Sequence, residues 1–439
     1  MDRPSIAVVG AGISGLTAAH ILSRAHDVVL YEADDRLGGH AHTHELPTPG
    51  GGTIGVDTGF IVHNERTYPH LLRLFRELGV ATQDSEMSMS VRCDGCGLEY
   101  AGARGPLGLL GGGNLLRGRH LRMLAEVPRF HRAARRLLAD EDARAAPDPA
   151  PSPAQASAPS PSPDATLGAF LRRHRFSPYF VGHFAIPLVA SVWSCAPATA
   201  LDYPAAYLFR FLDHHGLLSV TGSPRWKTVT GGSGAYVERA AKALSSVRTA
   251  TPVRTVARTA DGVRLITEDG ESADHRAVVI AVHPDQALRL LADPTPRERH
   301  VLGAFTYSRN PTVLHRDTSL LPRGGHARAS WNYRLPSCSA RPGSVQVSYD
   351  MNRLQRLSGQ EPHIVTLNPG DDLIDESTVL ARMTYEHPVY TVESVAAQRL
   401  LPTLDDRVVA YAGAYHGWGF HEDGCRSGAR AAASLGVTW

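Results

Sequence analysis

The first forty residues constrain this chain more than any other stretch. Ile6-Ala-Val-Val9 is a short apolar run that stops at Gly10, Leu16 to Ala25 is rich in helix formers, and Val28-Val-Leu-Tyr31 is a second apolar run. That order predicts strand, turn, helix, strand: a βαβ unit. The turn reads Gly10-Ala-Gly12-Ile-Ser14-Gly15, a G-x-G-x-x-G, and Glu32 follows the second run. Each part has a mechanical reason. Gly10 permits the tight turn, Gly12 lets the backbone approach a pyrophosphate, and Gly15 lets helix and strand pack closely. The helix N-terminus offers unpaired N–H donors and a positive dipole to phosphates. Glu32 is placed to accept hydrogen bonds from an adenosine ribose. A glycine turn alone is a weak sign, but the flanking strands and the acid together predict a dinucleotide site.

The chain has 439 residues, enough for two to three domains, with 43% hydrophobic and 20% charged residues, as in ordinary soluble globular proteins. Its net charge of +2 gives no reason to expect nucleic acid as a partner. Lys227 and Lys242 are its only lysines. Five cysteines do not make a disulfide framework. Met1 leads into a strand with no leader pattern, so a reducing cytoplasmic setting is expected. Cys93 and Cys96 have C-x-x-C spacing, but Cys195, Cys338 and Cys425 form no second pair. All five read as loop and core thiols, and no metal site is expected. His40, His42 and His44 alternate along an extended segment and supply no fixed tetrahedral geometry either.

Late in the chain, Val278-Val-Ile-Ala281 and Val408-Val-Ala-Tyr411 look like further buried parallel strands, so the two chain ends belong to one domain. Ser344 to Tyr349 looks like a strand of a second domain. Pro147 to Pro163 holds seven prolines among alanines and serines, cannot bury a core, and is expected to be a disordered loop. Leu115 to Leu138 interleaves Leu, Met, Val and Phe with many arginines. It predicts one or two basic amphipathic helices broken at Pro128, with a face suited to a membrane surface. Phe176 to Leu201 carries no charged side chain, yet its prolines and small polar residues favour a buried segment lining an apolar cavity over a membrane span.

Further motifs narrow the reading. Glu32-Ala33-Asp-Asp-Arg36-Leu-Gly38-Gly39, Val56-Asp57-Thr58-Gly59-Phe60, the segment from Tyr68 to Gly79, Thr230-Gly-Gly-Ser233, Pro252 to Val256, Ala412-Gly413-Ala414-Tyr415 and Gly419 to Gly428 occur in order over nearly the whole chain. Together they resemble the FAD-dependent amine oxidase and phytoene desaturase superfamily. Asn64 to Tyr68, Trp193-Ser194, His215 to Leu218, His283 to Ala287, Ser330 to Tyr333 and Glu386-His-Pro388 are similar to a bacterial subgroup of predicted NAD/FAD-binding oxidoreductases. Genes of that subgroup accompany cyclopropane-fatty-acid-synthase-like methyltransferases. There are departures: His40 stands where an arginine is usual, and Ala414 where amine oxidases often carry an acid.

The resemblance implies an α/β fold: a discontinuous Rossmann-like FAD domain (1–80, 220–295, 395–439) and a mixed α+β substrate domain (81–219, 296–394). It implies non-covalent FAD held by Gly10, Gly12, Ser14, Gly15, Glu32, Ala33, Gly39, His40, Gly59, Phe60, Val253, Gly413, Ala414, Phe420, His421 and Asp423. Glu422 and Asp423 fall at a helix start, where capping alone is the competing reading, and Asp423 is kept as a cofactor contact. The implied activity is a desaturase or dehydrogenase acting on a fatty acyl or methyl-branched lipid, with a methyltransferase as partner. Such a substrate, taken with the basic stretch Leu115 to Leu138, leads to an expectation of peripheral contact at the inner membrane face. A flavin amine oxidase is one alternative, disfavoured because neither lysine suits a place beside the flavin. A structural flavoprotein that binds lipid for the methyltransferase is the other. His183, His283, His387, His416 and His421 are candidate bases on chemistry alone, and none is singled out.

Overall fold

In the computed structural model, residues 5–145, 165–219, 222–339, 343–370 and 373–439 are described. The expected proline-rich loop, 147–163, lies outside them.

Five parallel strands form one sheet in the order Ser246–Arg248, Asp27–Tyr31, Ser5–Val9, Ala277–Ile280, Val409–Tyr411. The two late apolar runs thus join the N-terminal unit. Side chains alternate between the sheet's faces, so Ile6 and Val8 enter one core while Ala7 and Val9 enter another. On the first face lie the helices Ile13–Leu22, Gly234–Lys242 and His421–Ser434, through Leu16, Tyr236 and Ala431. On the second lie an antiparallel three-stranded sheet and the helix Pro296–Leu302, through Val256, Val263 and Val301. Burial on both faces explains why these strands are continuously apolar.

A second sheet has seven strands, in the order Val379–Val389, Thr306–His315, Ile364–Leu367, Val347–Asp350, Trp331–Leu335, Met89–Cys93, Leu98–Ala101. Neighbours are antiparallel except Trp331–Leu335 with Met89–Cys93. Helices cover it, and Met123, Phe130, Phe170 and Phe209 share a core with Val91, Tyr333 and Val347.

The expected break at Pro128 does not occur: one helix runs Gly118–Ala145 with the proline inside it. Proline removes one backbone hydrogen bond. Met123 and Phe130, both fully buried on either side, offset that loss by anchoring the helix in the core. The apolar residues of this region also divide. Leu138 is buried and Leu124 and Val127 are half-buried, whereas Leu115, Leu116 and Leu121 are exposed.

The uncharged stretch folds as Pro178–Phe180, a single π-helical turn Val181–Ala185, and the helices Ile186–Trp193 and Pro197–Asp202. Phe180, Val189 and Trp193 are buried in it. Among the described residues no helix is long and apolar enough to cross a membrane.

Candidate active site

A cavity of about 800 Å³ runs from the carboxyl ends of the parallel strands to the seven-stranded sheet. Ligands of open α/β sheets bind at those strand ends. All the residues read from sequence as cofactor contacts line it, except Gly15 and Asp423.

The three glycines of the first turn do different things. A Cβ on Gly10 would lie 2.6 Å from the Ala281 carbonyl oxygen, and Gly10 has φ +99°. A Cβ on Gly15 would run into the Gly10 carbonyl. Both are therefore packing positions. A Cβ on Gly12 would meet nothing within 4 Å, because Gly12 faces the cavity. The helix it opens, Ile13–Leu22, has no side-chain cap and no acid in its first turn, which leaves its N–H donors for an anion. Glu32 is fixed at the rim, accepting from the Ala11 N–H at 2.7 Å and the Asp34 N–H at 3.0 Å.

The helix His421–Ser434 reaches the same cavity by packing on Ile13–Leu22 through glycines. A Cβ on Gly424 would come 2.6 Å from Ile13, and one on Gly428 would strike the Ser14 carbonyl. At its start, Asp423 accepts from the Phe420 N–H at 3.2 Å and pairs with Arg426 at 2.8 Å. Asp423 is thus a buried cap, its carboxyl raised to about 6 by burial, rather than a side chain facing the cavity. Glu422 instead caps Pro69–Glu77, accepting from the His70 and Leu71 N–H groups. His421 and Phe420 do face the cavity. The His421 ring stacks on Phe60 and bonds the Tyr236 hydroxyl at 3.1 Å, and Phe420 stacks on Phe211 from the helical layer.

Asp57, unassigned from sequence, ties the motifs together. It accepts from Thr43 Oγ1 at 2.6 Å, from the Ser233 N–H and hydroxyl, and from Gln355 Nε2 at 3.1 Å. Burial still raises it to about 6.

Histidines dominate the middle of the cavity. His40 lies 5.1 Å from Tyr385 and 5.3 Å from His387, ring centre to ring centre. Burial, then the neighbouring His387, holds His40 well below its ordinary range. Burial lowers His387 to about 4 and His421 to about 3, and it lowers His283 as well. These rings are therefore neutral at pH 7. Asn310 Nδ2 donates to His387 Nδ1 at 3.0 Å, so the ring proton sits on Nε2. Tyr385 shares its hydroxyl with Thr58 at 2.6 Å and His42 at 3.1 Å.

Two candidate bases lie elsewhere. His416 accepts from Arg430 at 2.8 Å and His183 sits against Cys96, and neither lines the cavity. The far end is walled by Trp193, Phe211, Trp331, Tyr349 and Leu367. Ser194, at the end of Ile186–Trp193, has φ +51°, a strained conformation for a non-glycine residue.

The model of the flavin containing amine oxidoreductases matches residues 13–313, well over half the chain. The chain belongs to that family. The flavin-containing monoamine oxidase-type protein AofH of Mycobacterium tuberculosis is 27% identical over 300 residues, 66% of this chain and 59% of that protein. The chain thus spans about 59% of the length of that curated relative. Among solved structures, cyclohexylamine oxidase from Brevibacterium oxydans superposes with a TM-score of 0.68 at 18% identity, over 99% of this chain and 98% of that one. A fatty acid isomerase from P. acnes gives 0.65 at 16%, over 97% of each chain. At such identities these establish the α/β fold.

As in its family, the cofactor is FAD, and the residues present fit it. The uncapped helix over Gly12 would receive the pyrophosphate, Glu32 the ribose, and the stretch between His40 and Phe420 the flavin ring. What sequence reading missed lies on the seven-stranded sheet. Tyr385 belongs to a period-two run, Met383, Tyr385, His387, which signals one face of a strand without saying what that face meets.

Proposed function

We propose that this flavoprotein is an oxidoreductase that dehydrogenates an apolar substrate, a fatty acyl or methyl-branched chain. When bound, FAD supplies the hydride acceptor. The carrying observation is the far wall of the cavity, aromatic and aliphatic with no lysine on it, together with His40 and His387 held neutral in the middle of the cavity. The apolar wall excludes water and orients the chain by burial alone. His387 presents its Nε2 proton as a donor, and Tyr385 is oriented by Thr58 and His42.

The family's name favours a second reading, an amine substrate. Against it, Lys227 pairs with Asp84 at 3.4 Å and Glu65 at 3.7 Å, away from the cavity, and Lys242 ends the helix Gly234–Lys242. Anaerobic mixing separates the two. Bleaching of the flavin by unsaturated or branched acyl lipids supports the apolar reading, and bleaching by amines alone overturns it. Absence of bleaching by either would favour a lipid-binding flavoprotein. The resemblance to proteins encoded beside cyclopropane-fatty-acid-synthase-like methyltransferases supports the same substrate class and suggests such an enzyme as partner, testable by co-purification.

A further inference from the structure

Three cysteines and a histidine that the sequence leaves scattered meet at the edge of the seven-stranded sheet. The thiols of Cys93, Cys96 and Cys338 and an imidazole nitrogen of His183 all lie within 4.8 Å of one another. Cys93 Sγ is 3.7 Å from Cys338 Sγ, and Cys96 Sγ is 3.8 Å from His183 Nε2. Ligands on a tetrahedral zinc, with Zn–S ~2.3 Å and Zn–N ~2.0 Å, stand about 3.5–3.8 Å apart. We propose that these four side chains bind one Zn²⁺ in a closed structural site.

This corrects the reading of Cys93, Cys96 and Cys338 as unrelated thiols. Cys93 ends the strand Met89–Cys93 and Cys96 lies in the hairpin turn before Leu98–Ala101, closed by the Gly97 N–H donating to the Cys93 carbonyl at 2.9 Å. Gly97 takes φ +66°, which glycine adopts without strain. The parallel neighbour aligns Leu335 with Cys93, and the Asp94 N–H donates to the Leu335 carbonyl at 2.9 Å. The chain leaving Leu335 therefore carries Cys338 over the turn. It passes so close that a Cβ on Gly95 would lie 2.9 Å from Ser337 Cα.

His183 arrives on the π-helical turn Val181–Ala185, a distortion frequent at functional positions. Its Nδ1 lies 3.1 Å from the Tyr179 carbonyl. Donation to that acceptor places the proton on Nδ1 and frees the Nε2 lone pair that faces Cys96. Such a bond from the outer nitrogen is the usual support of a metal-binding histidine. The Tyr179 ring stacks on His183 at 3.9 Å, and Tyr100 donates to the His183 carbonyl at 2.8 Å. Arg117, donating to the Cys96 carbonyl, places positive charge beside the thiolates.

Three thiolates and an imidazole suit zinc and do not suit magnesium or calcium, which take oxygen ligands. Four protein ligands leave no open position, so the site is structural rather than catalytic. Binding converts three thiols to thiolates and releases their protons. The metal would pin the hairpin and the 336–339 loop to the turn at His183. That turn runs directly into Ile186–Trp193, whose end supplies Ser191, Trp193 and Ser194 to the cavity. The zinc would thereby brace one wall of the active site from outside it.

Elemental analysis of tag-free holoprotein, expressed in zinc-replete medium, tests this directly. One zinc per chain is expected, released stoichiometrically by a mercurial reagent and detected with a chromogenic chelator. His183→Ala combined with Cys338→Ser should lower zinc below about a tenth of an equivalent. Cys195→Ser, a buried thiol outside the cluster, should keep it. Cobalt exchanged into the wild-type protein should give tetrahedral d–d bands to the red of the flavin absorption. If the double variant does not fold, the wild-type zinc count and the cobalt spectrum decide the matter. Wild-type protein without zinc, whether its thiols titrate free or its mass shows a disulfide, overturns the proposal.

Discussion

His421 stacks on Phe60 with ring centroids 3.7 Å apart and planes inclined by 14°. Phe60 ends the Val56–Phe60 motif and His421 opens the last helix, so this contact closes the cavity between distant parts of the chain. Phe60→Ala should remove the stack and cost about 3–5 kcal/mol, with loss of flavin. His421→Phe should retain both the stack and the colour. It should cost only about 1–3 kcal/mol for the stranded Tyr236 hydroxyl. Chemical denaturation and the flavin-to-protein absorbance ratio measure both.

The glycines of the first turn should separate by phenotype. Gly12 has φ −70° and open space where a Cβ would be, so Gly12→Val should fold with a melting temperature close to that of flavin-free wild type. It should nonetheless purify colourless, because the new side chain fills the pyrophosphate position. Gly15→Val should not fold, since its Cβ collides with backbone. A Gly12→Val protein that kept full flavin occupancy would refute this placement of the cofactor.

Acid should unfold the protein through the cavity histidines. His387 is lowered to about 4, below the ordinary value of 6.5. Its neutral form stabilises the fold fully above pH 6.5, and that contribution is lost as pH falls through about 4. At pH 5 the loss is about 2 kcal/mol for this one ring. His40 and His421 add to it, while Asp57 and Asp423, both raised to about 6, oppose it because protonation favours their folded state. Urea denaturation at pH 6.5 and pH 5 should show a smaller drop for His387→Asn than for wild type.

A lipid substrate would have to be drawn from the bilayer, and the exposed leucines mark where contact is expected. Leu107, Leu115, Leu116 and Leu121 are exposed, beside exposed Arg119 and Arg122. Anionic vesicles should bind this face at low salt and release it at high salt, at about 1 kcal/mol per basic residue. Changing Leu115, Leu116 and Leu121 to Ser should abolish co-sedimentation and leave the flavin bound. Arg135 is a poor target, being tied to the Leu218 carbonyl at 2.7 Å. Wild-type protein that ignores such vesicles would eliminate the membrane route.

The nucleotide half was legible because its instructions are local. Gly10, Gly12, Gly15 and Glu32 sit within one βαβ unit, and their roles follow from turn, helix end and strand end. The continuous apolar runs at 278–281 and 408–411 likewise announced buried parallel strands. Pro128 was misread for a related reason. A local rule gave a helix break, and burial of Met123 and Phe130 overrode it. Asp423, read as a cofactor contact with capping as the alternative, accepts from the Phe420 N–H at the start of its helix.

By itself, then, the sequence determined a dinucleotide-binding βαβ unit, since spacing along a turn, helix or strand is enough to specify it. Flavin was implied by the resemblance of the later motifs to a flavoprotein family. Tertiary structure alone decided which side chains meet across those segments. It brought Tyr385 to Thr58, Asn310 to His387, and Cys338 and His183 to the Cys93–Cys96 turn. Such meetings depend on strand register and helix packing between residues hundreds of positions apart, and no periodicity within either segment encodes its partner.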